Sequence, residues 1–198
     1  MKYINQLDYP HWLYITRTDM EGKDKEWGKT STVRSSGCGL CSAIMVADRL
    51  LPEYEFSLSD AISLSYEQKA NHKRGTSYAR FAPAFAEKLG LKLEATKDLD
   101  ALRNCLRTGG AAVVLVDGDR EGKVGLFTHG GHYMAIINEE PDGRFAILDP
   151  SLSPTKYEEE GRQGRVEIRN GVIVLADGKT LEEETASRAT PFYLFWRA

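Results

Sequence analysis

The chain has 198 residues, with 26 Lys plus Arg against 29 Asp plus Glu for a formal charge of −3, which suits one substantial domain with a real core. Hydrophobic residues at 41%, charged residues at 28% and a mean hydropathy of −0.41 exclude a disordered chain, and a pI of about 5.9 excludes a nucleic-acid binder that relies on overall basicity. The longest clean apolar run, Ala111 to Val116, falls far short of the ~18 residues of a membrane helix, and three cysteines cannot build a disulfide scaffold and read as reduced thiols.

From Met1 to Ser36 the sequence is aromatic and polar without sustained period, so irregular structure with at most a short strand is expected. Met1 to Asp8 carries a single lysine and no apolar signal core; a cytoplasmic location is expected, with secretion only if a leader has been removed. After Ser35-Ser36-Gly37, apolar Leu40, Ala43, Ile44, Ala47 and Leu50 recur at helical spacing up to Pro52, predicting a helix that opens at Cys38. Further helices are predicted over Leu58 to Lys69, Ser77 to Leu89 and Leu99 to Arg107, the last two stopped by Gly90 and by Gly109-Gly110.

Beyond Gly110 the pattern changes to strands at Ala111 to Asp117, His132 to Glu139, Arg144 to Leu148, Val166 to Ile168, Val172 to Leu175 and Phe192 to Trp196. Pro141-Asp142-Gly143 and Asn170-Gly171 are turn signals between pairs of them. Helices followed by antiparallel strands predict an α+β fold: one domain over 1–198, mainly helical over 1–110 and mainly an antiparallel sheet over 111–198. The acidic runs Glu158 to Glu160 and Glu182 to Glu184 read as solvated faces.

Three residues are candidates to carry chemistry. Cys38 opens a helix, where unpaired N–H groups and the helix dipole favour a thiolate. His132 begins an apolar strand, and Asp149 ends the next one. If Glu140 to Gly143 form a four-residue hairpin loop, Asp149 lies on the same sheet face as His132, one diagonal step away; a three-residue loop would separate the two. Taken singly, Cys38 also fits a small buried residue at a tight turn, His132 a rim histidine and Asp149 an Asp-Pro turn initiator. Together they supply a nucleophile, a base and an acidic orienter for thiol acyl transfer, with the Cys38 backbone N–H as an oxyanion donor.

Gln6-Leu7-Asp8-Tyr9-Pro10-His11-Trp12, Ser35-Ser36-Gly37-Cys38-Gly39, Gly130-Gly131-His132-Tyr133-Met134-Ala135-Ile136 and Leu148-Asp149-Pro150, in that order, resemble the papain-like cysteine peptidases related to the double-glycine leader peptidases of bacteriocin export, cysteine peptidase family 39. The resemblance spans residues 6 to 150. It implies a papain-like fold with N-terminal helices on a C-terminal antiparallel sheet. The implied roles are Cys38 as nucleophile, His132 as general base and acid, Asp149 as orienter and Gln6 as side-chain oxyanion donor. It implies a peptide or protein substrate and no metal or organic cofactor, with neither nucleic acid nor a membrane span involved. The chain departs from its relatives in carrying Leu40-Cys41 where they commonly have Pro-Thr, and no transporter segment follows. A stand-alone peptidase or amidase is therefore expected.

Three alternatives stay open at this point. Cys38-Gly39-Leu40-Cys41 at a helix start is also the pattern of a dithiol oxidoreductase, although no buried strand of a βαβ unit precedes it. Cys38 and Cys41 with His129 and His132 would make a zinc site only if the fold assembled two distant halves. A non-catalytic peptide-binding domain on the same fold is the third. Cys105 is expected in the core or at its boundary, and His11 and His72 are assigned nothing.

Overall fold

Punctuation residues set most of the helix ends. The structure, a computed structural model, describes residues 1–17, 27–29, 31–72 and 75–198. A 3-10 turn, Gln6–Asp8, and a two-strand ladder of Thr16–Arg17 (β1) with Trp27–Lys29 (β2) occupy the N-terminal segment. A short helix, Val33–Ser36 (α1), then runs through Gly37 into Cys38–Leu50 (α2). That helical turn and the β1–β2 ladder exceed the irregular segment expected there.

Leu58–Glu67 (α3) begins in a capping box in which Ser57 and Asp60 each accept from the other's backbone N–H, at 3.1 and 2.9 Å. Asn71–His72 (β3) and Gly75–Thr76 (β4) pair before Tyr78–Leu89 (α4), which stops at Gly90 in the left-handed conformation, φ 62°. Asp98 caps Leu99–Arg107 (α5) by accepting from the Asp100 N–H.

Between α4 and α5 lies a strand, Leu91–Thr96 (β5), that the sequence analysis does not contain. The remaining strands, Ala111–Val116 (β6), His132–Glu139 (β7), Phe145–Leu148 (β8), Glu167–Arg169 (β9), Ile173–Ala176 (β10) and Phe192–Arg197 (β11), fall where they were expected, within a residue or two at their ends. The seven strands from β5 onward form one antiparallel sheet in the order β5-β11-β6-β7-β8-β10-β9. Because β5 pairs with β11, the sheet recruits a strand from the mainly helical part of the chain.

Alternation along the strands buries both faces. Ala111, Val113, Ala135, Leu148 and Phe195 point into a core shared with α2, α3 and α4. Ala112, Val114, Met134, Ile147 and Leu194 point into a second core with α5 and with Gly178–Thr185 (α6). Cys105 is buried in that second core. The fold is α+β, with the N-terminal helices on one face of an antiparallel sheet.

Helix α6 corrects the expectation for Glu182 to Glu184. Glu184 is fully buried, 3.0 Å from Arg165, 3.3 Å from Lys123 and 3.5 Å from Arg120. A carboxylate can be buried there because three cations surround it. Glu158 to Glu160 are exposed, as expected. No helix among the described residues is long and apolar enough to cross a membrane.

Candidate active site

Cys38 owes its place to the glycine before it. A Cβ on Gly37 would lie 2.5 Å from the Val33 side chain and 2.6 Å from the Val33 carbonyl oxygen, which accepts the Gly37 N–H at 2.7 Å. Only a residue without a side chain lets α1 turn into α2 this tightly. The thiol consequently sits on the first residue of a 13-residue helix, where the backbone presents its unpaired N–H groups. Because α2 packs on β6 and β7, that helix end meets the start of β7, where His132 stands.

His132 and Asp149 meet by a route the sequence analysis does not foresee. The Glu140 N–H donates to the Arg144 carbonyl, so Pro141-Asp142-Gly143 form a three-residue hairpin loop with Gly143 at φ 82°. Glu139 pairs with Phe145 and Asn138 with Ala146, the register that would put His132 and Asp149 on opposite faces. A bulge between Ile136 and Asn138 then shifts the pairing by one residue, so that Ile136 faces Ile147 and Ala135 faces Leu148. Of the two loop lengths left open by the sequence, the structure has three residues, with a bulge added. The two irregularities cancel, and His132 Nε2 lies 2.8 Å from Asp149 Oδ1.

The carboxylate is fully occupied. Asp149 is inaccessible to solvent, and it accepts the Ser151 N–H at 2.9 Å and the Tyr157 hydroxyl at 2.7 Å. Lys156 Nζ sits 2.6 Å from Oδ2 and also donates to Ser151 Oγ at 2.6 Å. The Tyr3 hydroxyl donates to the Asp149 carbonyl at 2.7 Å. Lys156, Ser151, Tyr157 and Tyr3 are absent from the sequence analysis. Nothing local marks Lys156, only 8% exposed, as different from a surface lysine.

With Nε2 turned to Asp149, Nδ1 is the ring nitrogen left to face the Cys38 thiol, whose pKa the imidazole lowers. Burial pushes the Cys38 thiol up, but the His132 imidazole and backbone groups of Tyr133 and Gly39 outweigh it, and its pKa falls below the ordinary value. Burial and the Lys156 cation push His132 down, yet the Asp149 carboxylate and Cys38 prevail, and its pKa is raised. Asp149 is pushed up by burial and held well below the usual carboxylate range by Lys156 and His132. These directions favour a thiolate–imidazolium pair.

Gln6 lies between the segments that lead into Cys38 and out of Asp149. Its backbone N–H donates to the Pro150 carbonyl at 2.7 Å, and its Nε2 donates to the Arg34 carbonyl at 2.7 Å. Cys41 is fully buried, and burial together with Cys38 pushes its thiol up. His129 turns away from both thiols: its two ring nitrogens lie 2.9 Å from Asp119 and 3.0 Å from Glu159. Among the described residues no group of three or more His, Cys, Asp or Glu is placed to hold a metal ion. Cys38 opens into a cleft of about 800 Å³ whose walls include Ser36, His72, Thr76, Gly131, Tyr133 and Arg188.

The architecture has counterparts among solved structures. The chain superposes on the peptidase domain of Streptococcus ComA, a bifunctional ABC transporter involved in quorum sensing, with a TM-score of 0.51 and 16% identity, covering 93% of this chain and 99% of that one. It superposes on a Bacillus anthracis protein described as a C39-like peptidase with a TM-score of 0.57 and 12% identity, covering 100% and 94%. No family model matches the chain and no curated protein is similar in sequence. The fold resembles that of the papain-like peptidases of cysteine peptidase family 39.

Proposed function

We propose that the chain is a cysteine peptidase that cleaves a peptide or amide bond through a covalent acyl-enzyme on Cys38. The observation that carries the reading is the buried His132–Asp149 pair, 2.8 Å apart, beside a helix-opening Cys38 whose thiol pKa the imidazole lowers, on a fold shared with cysteine peptidase domains. Cys38 Sγ, as a thiolate, attacks the carbonyl carbon of the scissile bond. The negative charge then on oxygen is met by the Cys38 backbone N–H at the head of α2 and by Gln6 Nε2, whose second hydrogen is not spent on Arg34.

His132 gives its proton to the departing amine as the C–N bond breaks, leaving a thioester on Cys38. It then takes a proton from the water that hydrolyses that thioester. Asp149 holds the ring in the orientation that aims Nδ1 at sulfur and stabilises the imidazolium. The raised thiol of Cys41, sealed from solvent, supports Cys38 acting alone rather than a dithiol pair.

Replacing Cys38 by Ala tests the reading. Digestion of a proteome-derived peptide library is expected with the wild type and is expected to disappear in Cys38→Ala, with the thermal melting curve preserved. Wild-type cleavage by the alanine variant would remove Cys38 from the mechanism.

A further inference from the structure

The cleft beside Cys38 contains a cation that the proposed hydrolytic machinery does not use. Arg188 lines it together with Gly130, Gly131 and Tyr133. The guanidinium is fixed from behind, with Nε 2.7 Å from Asp117 Oδ1 and Nη2 donating to the Val116 carbonyl at 3.1 Å. Among the described residues Nη1 makes no hydrogen bond. A Cβ on Gly131 would lie 3.0 Å from Nη2, so the guanidinium rests against the backbone that leads into His132.

Asp117 does not cancel this charge by itself. It also accepts the Ser187 N–H at 2.9 Å and the Ser187 hydroxyl, and it lies 3.9 Å from Arg120. Arg120 shares Glu184 with Lys123 and Arg165, and Lys123 also pairs with Glu183. The connected group therefore holds four cations, Arg188, Arg120, Lys123 and Arg165, against three carboxylates, Asp117, Glu183 and Glu184. Arg188 is the member that reaches the cleft, and no Asp or Glu lines the cleft among the described residues.

We infer that Arg188 forms a subsite for a substrate carboxylate, an Asp or Glu side chain near the scissile bond. The inference rests on the peptidase reading and adds a substrate class to it. A guanidinium whose far edge is already anchored loses little freedom on binding, and its hydrogen bond to a carboxylate is charge-assisted. Glu and Gln are nearly isosteric, so their difference isolates that charge.

The test uses a proteome-derived peptide library whose cut sites are read by mass spectrometry, followed by synthetic peptide pairs that differ by Glu or Gln at the enriched position. Acidic residues are expected to be enriched near the cut. The Glu peptide is expected to have about a tenfold higher kcat/KM at low salt, with the ratio shrinking as ionic strength rises. In Arg188→Gln the ratio is expected to fall to about one. Arg188→Lys, which retains the charge if the glutamine variant does not fold, is expected to keep it above one.

Cut sites without acidic enrichment, or a Glu/Gln ratio indifferent to Arg188→Gln, would overturn the subsite and leave the peptidase reading standing. A wild type that cleaves no member of the library would overturn both.

Discussion

Lys156 places a cation 2.6 Å from the carboxylate that hydrogen-bonds His132, so removing Asp149 does more than misorient an imidazole. Asp149→Asn leaves an ammonium that is 8% exposed without its counter-charge, and stranding one member of a buried pair costs about 3–5 kcal/mol. Urea denaturation should show that loss, and adding Lys156→Met in the same chain should recover much of it; a double variant no more stable than Asp149→Asn would deny the pair its structural weight. The linkage has a definite sign. Asp149 is held below its unfolded value, so its stabilisation is present above about pH 4 and is lost as pH falls through the lower native value.

Lys156 also opposes the charge on His132, since its cation lowers the imidazole pKa while Asp149 raises it. Lys156→Met removes the like charge and leaves the carboxylate, so the His132 titration followed by ring-nitrogen NMR should move to higher pH. An unchanged or lower midpoint contradicts that electrostatic account. The stability contributed by the raised His132 pKa is complete below about pH 6.5 and is lost as pH rises through the native value; in Lys156→Met that loss should come later. At this scale Cys38, His132 and Asp149 were legible because each stands at a helix or strand terminus with glycine or proline beside it. Lys156 was not, because nothing in its neighbourhood marks it as a buried lysine, and Arg188 was not, because its partner Asp117 is distant in sequence.

Two elements decide whether the residues meet. The first is the join between α1 and α2, where a Cβ on Gly37 would sit 2.5 Å from the Val33 side chain. Gly37→Ala should destabilise the protein by about 1–3 kcal/mol, the usual cost of overpacking, and should slow alkylation of Cys38 as the helix end is pushed away from β7. Denaturation and thiol labelling measure the two effects, and a variant unchanged in both would show that the contact relaxes freely. The second is the β7–β8 hairpin, where a three-residue loop and a bulge at Ile137 cancel. Turn residues announced the loop, but Ile137 continues the apolar run of Met134, Ala135 and Ile136 and gave no sign of the bulge. The strand β5 did carry a readable signal, since Leu91, Leu93 and Ala95 alternate with Lys92, Glu94 and Thr96. Helix α6 carried little, because its buried positions include Glu184 and Thr185, and polar residues leave no apolar period.

At the scale of the whole molecule, the proposed nucleophile and base come from opposite parts of the chain. Cys38 stands at the head of a helix packed on one face of the sheet, and His132 at the start of one of its strands, with Asp149 just past the end of the next. The order of helices before strands was enough to read the α+β class, while the cleft and the cation in its wall required the assembled fold. The activated thiol proposed for Cys38 would accordingly be a property of the assembled protein, and its reactivity reports the central claim without any knowledge of the substrate.

The decisive measurement is the pH dependence of iodoacetamide alkylation, with modified sites located by mass spectrometry, in the wild type, His132→Ala and Cys41→Ser. The account predicts that Cys38 reacts with a midpoint well below the ordinary thiol value of about 8.5, loses that reactivity in His132→Ala and keeps it in Cys41→Ser. Reactivity that follows Cys41 and ignores His132 would contradict it.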